Sequence, residues 1–404
     1  MTRRVAVLGG GILGICTALE LARRGQAVVL VEGAEELMQG ASRWNEGKIH
    51  LGYLYAADSA LSTARRLIPG GLAFARLVER HIGRSIENFT TDGDDVCLVH
   101  RRSVVDVSAF TAYATCLAQL VRELASGSSG SYLSDVSRGT VHRLSDSELA
   151  DITSSDDVVA GFGVSECSVS TVPIADLLVE AVRAEPRIDV RTGTWVHSVR
   201  RRDDGRLDIA ASSSRGQDLG PFDVVVNALW EGRLAVDETL GILPSAPWTH
   251  RFRAALFGCD EHSRMCSAVL CTGPFGDVKR YRDGRMYLSW YPAGLLAEGH
   301  DVEPPRADAT LTQERRAQIQ TGVFDALGDF FPGIDGLRGN PSLEVQGGWV
   351  YALGQGSLDS RTSTLHRRDL FATTVDRGYI SVDTAKYSIA PWLADQVASL
   401  IVGS

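Results

Sequence analysis

The chain has 404 residues, of which 44% are hydrophobic and 23% charged, so it has the composition of an ordinary globular protein and the length for two domains. Its formal net charge of -9 disfavours a nucleic-acid partner, because phosphate binding depends on lysine and arginine. Its seven cysteines show no metal-ligand spacing, and no apolar run reaches the ~18 residues of a membrane helix. We therefore expect a cytoplasmic enzyme with reduced thiols, no metal site and no membrane span.

The first forty residues predict a strand, a helix and a second strand. Val5–Leu8 and Ala27–Val31 are apolar and rich in valine, which is typical of parallel strands buried on both faces. Ile15–Arg24 lies between them and predicts a helix, and Gly25 fits the end of that helix.

Three glycines in the turn after the first strand form the pattern G-x-G-x-x-G. Gly9 permits the tight turn, Gly11 lets a pyrophosphate approach the backbone, and Gly14 allows close packing of the helix. Glu32, at the end of the second strand, is placed to accept hydrogen bonds from ribose hydroxyls and disfavours NADP. The pattern predicts a dinucleotide but does not separate FAD from NAD. The alternative is a glycine-rich turn without a ligand, with Glu32 as a solvated strand end.

Residues 41–55 read ASRWNEGKIHLGYLY and follow no helical or strand period. Together with the glycine pattern, this stretch resembles the D-amino-acid-oxidase-like superfamily of FAD oxidoreductases. In these proteins a small-residue start and a loop follow the second strand and lie against the flavin. Ala41 and Ser42 match that start. Asn45–Tyr55 is most similar to the N-x-G-x-I-H-x-G-x-x-Y segment of the L-2-hydroxyglutarate oxidase branch, and the N-terminal flavin segment also resembles the glycine oxidase branch.

Two later segments extend the resemblance. Residues 192–199, TGTWVHSV, resemble the strand whose backbone near Val196 contacts the adenine side. Residues 378–398, GYISVDTAKYSIAPWLADQVA, resemble the motif that closes on the flavin pyrimidine ring. The residues that we assign to FAD binding are Gly9, Gly11, Gly14, Glu32, Ser42, Asn45, Gly47, Lys48, Val196, Lys386, Tyr387 and Ser388.

Departures from the family pattern carry information about the cofactor. Ala385 stands where many relatives have glycine, which affects how the backbone approaches the flavin. Asn45 stands where the dimethylglycine-dehydrogenase branch has a flavin-linked histidine, and the last third of the chain has no cysteine. The resemblance therefore implies FAD that is bound without a covalent link. No lysine stands directly after the 286–292 strand, at the place where sarcosine-oxidase relatives carry an oxygen-activating lysine. Oxidase activity is therefore not implied.

The resemblance implies an α/β fold, with a Rossmann-like FAD-binding domain of the glutathione-reductase type and an α+β substrate domain whose sheet is mainly antiparallel. The FAD-binding domain is expected to comprise residues 1–92, 166–232 and 340–404, and the substrate domain residues 93–165 and 233–339. Within the second domain, residues 277–292 predict a β-hairpin that turns at Asp283-Gly284. Residues 298–310 predict an exposed loop, with a lid as the alternative.

Arg251 and Arg253 are the first candidates for substrate binding. They lie two residues apart on a predicted strand, so both point to one face, and the arginine fork suits a carboxylate. The alternative is a surface ion pair. Tyr291 ends the hairpin strand and either lines the substrate cavity or packs the sheet. One of three further residues near the C-terminal flavin loops is also a candidate for the cavity: Arg361, His366 or Arg367.

His50 has three interpretations: a base or hydrogen-bond donor at the flavin, a covalent attachment point, or a histidine buried in the core. The catalytic candidates are His50, Arg251, Arg253 and Tyr291. The expected reaction is oxidation of a C–N bond in a small polar, carboxylate-bearing substrate by hydride transfer to flavin, with O2 or another carrier as the electron acceptor. The alternatives are a 2-hydroxy-acid oxidase or dehydrogenase, a non-catalytic flavin-binding partner subunit, and an RNA-modifying flavoenzyme, which the negative charge disfavours.

Overall fold

The structure of the protein is a computed structural model that describes residues 3–127, 132–213, 219–260 and 265–403. In chain order the described strands are β1 (Arg4–Leu8), β2 (Ala27–Val31), β3 (Asp95–His100), β4 (His142–Arg143), β5 (Val158–Val164), β6 (Ile188–Arg191), β7 (Thr194–Arg201), β8 (Leu207–Ser213), β9 (Leu219–Phe222), β10 (Val224–Asn227), β11 (Trp248–Cys259), β12 (Ala268–Cys271), β13 (Gly276–Arg280), β14 (Arg285–Trp290), β15 (Leu295–Gly299), β16 (Glu344–Leu353), β17 (Thr373–Asp376) and β18 (Tyr379–Val382). The described α-helices are α1 (Ile12–Arg23), α2 (Ser62–Ile82), α3 (Val107–Ser126), α4 (Asp146–Ala150), α5 (Thr171–Ala184), α6 (Arg233–Glu238), α7 (Tyr291–Gly294), α8 (Gln313–Gly328) and α9 (Ala390–Gly403).

The first sheet has the order β17-β18-β10-β1-β2-β6 and is parallel except for the edge strand β17. Strands β1 and β10 are buried along almost their whole length, as their continuous apolar sequences require in a sheet covered on both faces. Helices α1, α2, α5 and α9 pack together beside this sheet. The predicted strand–helix–strand unit is confirmed, although the helix begins at Ile12 rather than at Ile15.

The second sheet has the order β15-β11-β14-β13-β12-β3-β5-β4, and β16 also pairs with β11. Its pairings are antiparallel except for β12 beside β3, so the predicted fold class is confirmed. The predicted hairpin is β13 and β14, which join through a turn at Asp283-Gly284. Helix α8 covers one face of this sheet with the apolar residues Ile319, Val323, Phe324 and Leu327.

One strand lies outside the expected division of the chain. The sequence assigned residues 340–404 to the FAD-binding domain, yet β16 in that segment pairs along its length with β11 of the second sheet. The chain therefore returns to the first sheet only after β16, at β17 and β18. A third, smaller antiparallel sheet consists of β7, β8 and β9.

The loop after β2 runs from the first large sheet to the second and packs against it. It leaves the carboxyl end of β2 and passes so close to β16 that a Cβ on Gly348 would lie 2.5 Å from Cα of Ala41. Ligands of open parallel sheets bind beyond the carboxyl ends of the strands, which is where this loop runs. In the described ranges, no helix has both the length and the apolar character needed to cross a bilayer.

Candidate active site

The three glycines of the first turn are placed where side chains would not fit. Gly9 has φ of 102°, and a Cβ on it would lie 2.6 Å from the carbonyl oxygen of Ala228. A Cβ on Gly11 would lie 2.9 Å from Oγ of Ser42, and one on Gly14 only 1.8 Å from the carbonyl oxygen of Gly9. Gly9 and Gly11, but not Gly14, line a cavity, and α1 begins directly after Gly11, so this cavity lies at the N-terminus of the helix.

Glu32, which directly follows β2, lines the same cavity beside the glycine turn. Its carboxylate accepts hydrogen bonds from the backbone N–H groups of Gly10, at 2.6 Å, and Ala34, at 2.8 Å. Val196, on β7, lines the same cavity, and its neighbour Trp195 does so as well. The guanidinium of Arg306 lies 4.9 Å from the centroid of the Trp195 ring. Residues 303–306 of the predicted exposed loop therefore border this cavity and not the substrate cavity described below.

Ser42, Asn45 and Gly47 shape the loop that follows. Oγ of Ser42 accepts a hydrogen bond from the N–H of Ile12 at 3.0 Å, which ties the loop to the start of α1. The Asn45 amide donates to the carbonyl of Ala41 at 2.7 Å, and its oxygen accepts from the N–H of Gly47 at 2.8 Å. Gly47 has φ of 58° and rests against the backbone of Val169 rather than on the cavity wall.

A second cavity, which we call the ring cavity, continues from the first and shares Gly11, Ala41, Ser42, Ala228 and Trp230 with it. The two together form one elongated space that runs from Glu32 to the second sheet. Three non-glycine residues with positive φ border it: Met38, at 59°, Trp230, at 55°, and Ala385, at 52°. Such backbone conformations collect at ligand sites. Ala385 thus keeps a conformation that favours glycine although it carries a side chain.

The C-terminal segment closes the second cavity. Lys386 and Tyr387 line it, whereas Ser388 is buried behind it. Lys386 is half-buried, and its Nζ lies 5.8 Å from the centroid of the Tyr55 ring. Burial lowers the pKa of Lys386 to about 8; Glu46 opposes this shift, while Arg368 and Arg251 add to it. A fraction of Lys386 is therefore neutral near physiological pH.

The residues present fit FAD on geometric grounds. Glycines without room for a Cβ, the start of α1 and Glu32 provide backbone N–H groups and a carboxylate at one end of the elongated space. The other end is bordered by Trp349, Val350 and Val382 and by the positive-φ backbone at Ala385, which suits a flat ring. Thus one end suits a dinucleotide and the other a flavin ring.

Lys48 and His50 lie at the ring end of this space. Lys48 is completely buried and forms ion pairs with Asp95 and, at 3.5 Å, with Glu166. Lys279 also pairs with Asp95, at 2.9 Å. Burial opposes the charge of Lys48, but Asp95 and Glu166 outweigh it and hold its pKa well above the ordinary value. We call Lys48, Asp95, Glu166 and Lys279 the buried ion cluster.

His50 is 1% exposed, and its Nδ1 has no hydrogen-bond partner among the described residues. Burial lowers the pKa of His50 well below its ordinary value, and Lys386 and Lys48 lower it further. The imidazole is therefore neutral at physiological pH. The centroid of the imidazole lies 5.6 Å from that of the Tyr55 side-chain ring. His50 borders the ring cavity but not the third cavity, which is described next.

A third cavity of about 260 Å³ adjoins the ring cavity on the side of the second sheet. Its size suits a small metabolite. Arg251 and Arg253 line it from one face of β11, as their spacing predicts, and both contact Tyr291. Nη1 of Arg251 donates to the Tyr291 hydroxyl at 2.7 Å, and the Arg253 guanidinium lies 3.7 Å from the centroid of the Tyr291 ring. We call this space the substrate cavity. Lys386 and Glu46 line both the ring cavity and the substrate cavity.

Arg368, which the sequence reasoning missed, lies in the substrate cavity in place of its neighbour Arg367. Arg367 is exposed and pairs with Asp369, and the Arg361 side chain donates to the carbonyl of Val104. Of the three candidates in this segment, only His366 lines the cavity. Arg367 and Arg368 are adjacent, and the irregular backbone of this loop gives no period that predicts which of the two side chains faces the cavity.

A glycine turn with the room that a pyrophosphate needs, a cavity that suits a flat ring and an adjoining basic cavity indicate a flavin-binding protein with two large sheets. The chain belongs to the DAO family, FAD dependent oxidoreductases, whose model matches residues 4–358. The predicted family is confirmed, and FAD is the cofactor, as in members of this family.

Known structures and sequences agree with this assignment. Glycine oxidase from Geobacillus kaustophilus superposes with a TM-score of 0.65 at 16% identity, covering 100% of this chain and 96% of that one. Iminodiacetate oxidase from a Chelativorans species gives 0.67 at 16% identity, covering 99% and 96%. At such identities the likeness shows the fold alone. Glycerol-3-phosphate dehydrogenase 1 of Mycobacterium bovis is 45% identical over 62 residues, which are 15% of this chain and 12% of that protein.

Proposed function

We propose that the protein oxidises a C–N bond of a small amine or amino acid that carries a carboxylate. The observation that carries this proposal is the substrate cavity, in which Arg251 and Arg253 face a wall shared with the ring cavity. When bound, FAD supplies a ring that accepts a hydride from the substrate. The remaining tasks, which are to bind, orient and deprotonate the substrate, fall to residues of this chain.

The charges that line the substrate cavity favour a zwitterionic amine. The arginine forks suit the carboxylate of the substrate. Glu46 lines both cavities and supplies a carboxylate for an ammonium group at their junction. Asp277 lines the substrate cavity and accepts a hydrogen bond from Oγ of Ser289 at 2.5 Å. Burial raises the pKa of Asp277, so Glu46 is the better partner for a cation.

We assign to Lys386 the role of accepting the proton that the substrate ammonium group releases. Its side chain borders both cavities, and its pKa of about 8 leaves part of it neutral and able to accept a proton. His50 is neutral but borders only the ring cavity, so we assign it to holding the ring rather than to the substrate. Tyr291 positions Arg251 and Arg253 by its contacts with both.

We propose that FAD is bound without a covalent link. No cysteine lines the ring cavity in the described part of the chain, and the Asn45 side chain is engaged with the backbone of its own loop. All seven cysteines are free, which fits a cytoplasmic enzyme. Denaturation with acid is expected to release all of the flavin into the supernatant. Flavin that stays with the precipitate would contradict this part of the proposal.

The proposed reaction is tested by mixing the purified yellow protein with amines, amino acids and hydroxy acids under anaerobic conditions. Loss of the visible flavin absorption with amines, followed by detection of the imine hydrolysis product, is the expected result. Re-oxidation in air with release of hydrogen peroxide then tests O2 as the electron acceptor. A protein that neither contains nor takes up flavin would overturn the proposal. A flavin that no compound bleaches would point to a non-catalytic subunit.

Oxidation of a C–O bond is the second candidate. It is supported by the identity of 45% over 62 residues with glycerol-3-phosphate dehydrogenase 1, whose name states that it acts on an alcohol. Bleaching by hydroxy acids or by glycerol 3-phosphate, without bleaching by amines, would select this candidate over the first.

A further inference from the structure

We infer that the substrate carries two anionic groups and that its class is an amino acid with a second carboxylate. This inference rests on the proposed function and specifies the substrate of the same cavity. It follows from three guanidinium groups that share one cavity and have no carboxylate partner among the described residues: the buried Arg251 and Arg368, and the half-buried Arg253.

The other buried arginine among the described residues has an acidic partner. This residue, Arg233, pairs with Asp237 at 2.9 Å. Among the described residues, Arg251, Arg253 and Arg368 form no ion pair. The Nε of each also lacks a hydrogen-bond partner, as does the Nε of Arg233, so the missing acidic partner is what distinguishes the three. A buried charge without a partner is costly, so residues of this kind indicate a ligand that supplies the missing charge.

Each guanidinium is nevertheless held in place. Tyr291 holds Arg251 through its hydroxyl and Arg253 through its ring. Nη1 of Arg368 donates to the carbonyls of Leu365 and Arg367, both at 2.9 Å. These contacts fix the side chains but use few of the five N–H donors that an arginine has, and they supply no negative charge.

The charges around the cavity do not balance. Arg251, Arg253, Arg368 and Lys386 are four cationic side chains, and Glu46 and Asp277 are two acidic ones, so the excess is four minus two, or two positive charges. A monocarboxylate amino acid in its reactive, neutral-amine form brings one negative charge. An amino dicarboxylate in the same form brings two and balances the excess.

The arginines also line different parts of the space. Arg251 and Tyr291 line both the substrate cavity and an outer cleft that contains His300 and Gln355. Arg368 lines the substrate cavity but not the cleft. Burial lowers the pKa of Arg368 to about 10, with Arg251 as the largest charge contribution. One carboxylate at the cleft side and a second at Arg368 thus each meet a guanidinium.

The test compares matched ligands that cannot be oxidised: glutarate with butyrate, and succinate with propionate. Binding to the FAD-loaded protein is read from the shift of the flavin absorption spectrum at constant ionic strength, in a buffer free of phosphate. Each dicarboxylate is expected to bind about tenfold more tightly than its partner, because it adds charge-assisted hydrogen bonds. Equal affinities within each pair would overturn the inference.

Arg368→Met and Arg253→Met are expected to bring the affinity for glutarate close to that for butyrate. Arg367→Met is the matched control, because this neighbour is exposed and paired with Asp369, and it should keep the full preference. If Arg368→Met does not fold, Arg253→Met and the wild-type ligand series still decide the question. A dicarboxylate preference that survives in both variants would overturn the assignment to these arginines.

The outcome is separable from that of the proposed function, since ligand binding needs no turnover. Dicarboxylates that bind tightly to a protein that oxidises no amine would reject the proposed reaction and retain the dianion site. Oxidation of monocarboxylate and dicarboxylate amino acids with equal kcat/KM would reject the dianion site alone.

Discussion

Replacement of Asp95 by asparagine tests how the buried ion cluster supports the site. Asp95 and both of its lysine partners have side chains with no exposed surface. Burial opposes ionisation of Asp95, but Lys279 and Lys48 outweigh it and lower the pKa of the carboxyl. Asparagine keeps the shape and removes the charge, so Asp95→Asn leaves Lys279 without an acidic partner and Lys48 with only Glu166, at 3.5 Å.

Loss of one partner from a buried ion pair costs about 3–5 kcal/mol, because the remaining charge is uncompensated. We expect Asp95→Asn to lower the free energy of unfolding by about this amount. Adding Lys279→Met to Asp95→Asn removes one uncompensated charge and should recover part of the loss, with a coupling of about 1–3 kcal/mol. Asp325→Asn breaks an exposed pair with Arg338 and should cost less than about 1 kcal/mol.

The assay is urea unfolding at neutral pH, followed by circular dichroism and tryptophan fluorescence at a fixed excess of FAD. Because the folded pKa of Asp95 lies below its unfolded value, the advantage of the wild type over Asp95→Asn is complete above the unfolded pKa. It disappears as the pH falls through the folded pKa. The reasoning would be refuted if Asp95→Asn lowered the free energy of unfolding by an amount within about 1 kcal/mol of that for the Asp325→Asn control. Additive effects of Asp95→Asn and Lys279→Met would also refute it.

Three further predictions concern the cofactor and the proton. Gly14→Ala should abolish FAD binding and lower stability, because its Cβ would lie 1.8 Å from a carbonyl oxygen. In the control Gly127→Ala the new Cβ meets nothing closer than 4.0 Å, so this variant should retain flavin, and the flavin content after purification decides between the two outcomes. Arg306→Ala should raise the dissociation constant of FAD several-fold by removing the contact with Trp195, as measured by fluorescence titration of the apoprotein; an unchanged constant would contradict it. The rate of flavin reduction should rise with pH through about 8, as Lys386 loses its proton. Lys386→Met should reduce this rate and abolish its pH-dependent rise, and a rise that persists in the variant would assign the titration to another group.

The local features of the site follow from the sequence itself. The glycine turn, the strand that precedes it and Glu32 depend on residues within about thirty positions of one another, where spacing and backbone preference decide the structure. Arg251 and Arg253 share a face because side chains on a strand alternate with a period of two. The turn at Asp283-Gly284 has the same local origin.

Only the tertiary structure decided which distant residues meet. The buried ion cluster joins Lys48, Asp95 and Lys279, which lie on segments whose proximity depends on the order of strands in the second sheet. The pairing of β16 with β11 and the position of Arg306 over the Trp195 ring are likewise contacts between residues far apart in the sequence. Arg368, and not Arg367, lines the substrate cavity, and the irregular loop that carries them has no period from which the sequence could predict this. Contacts of this kind are set by the packing of the whole chain, which local preferences do not specify.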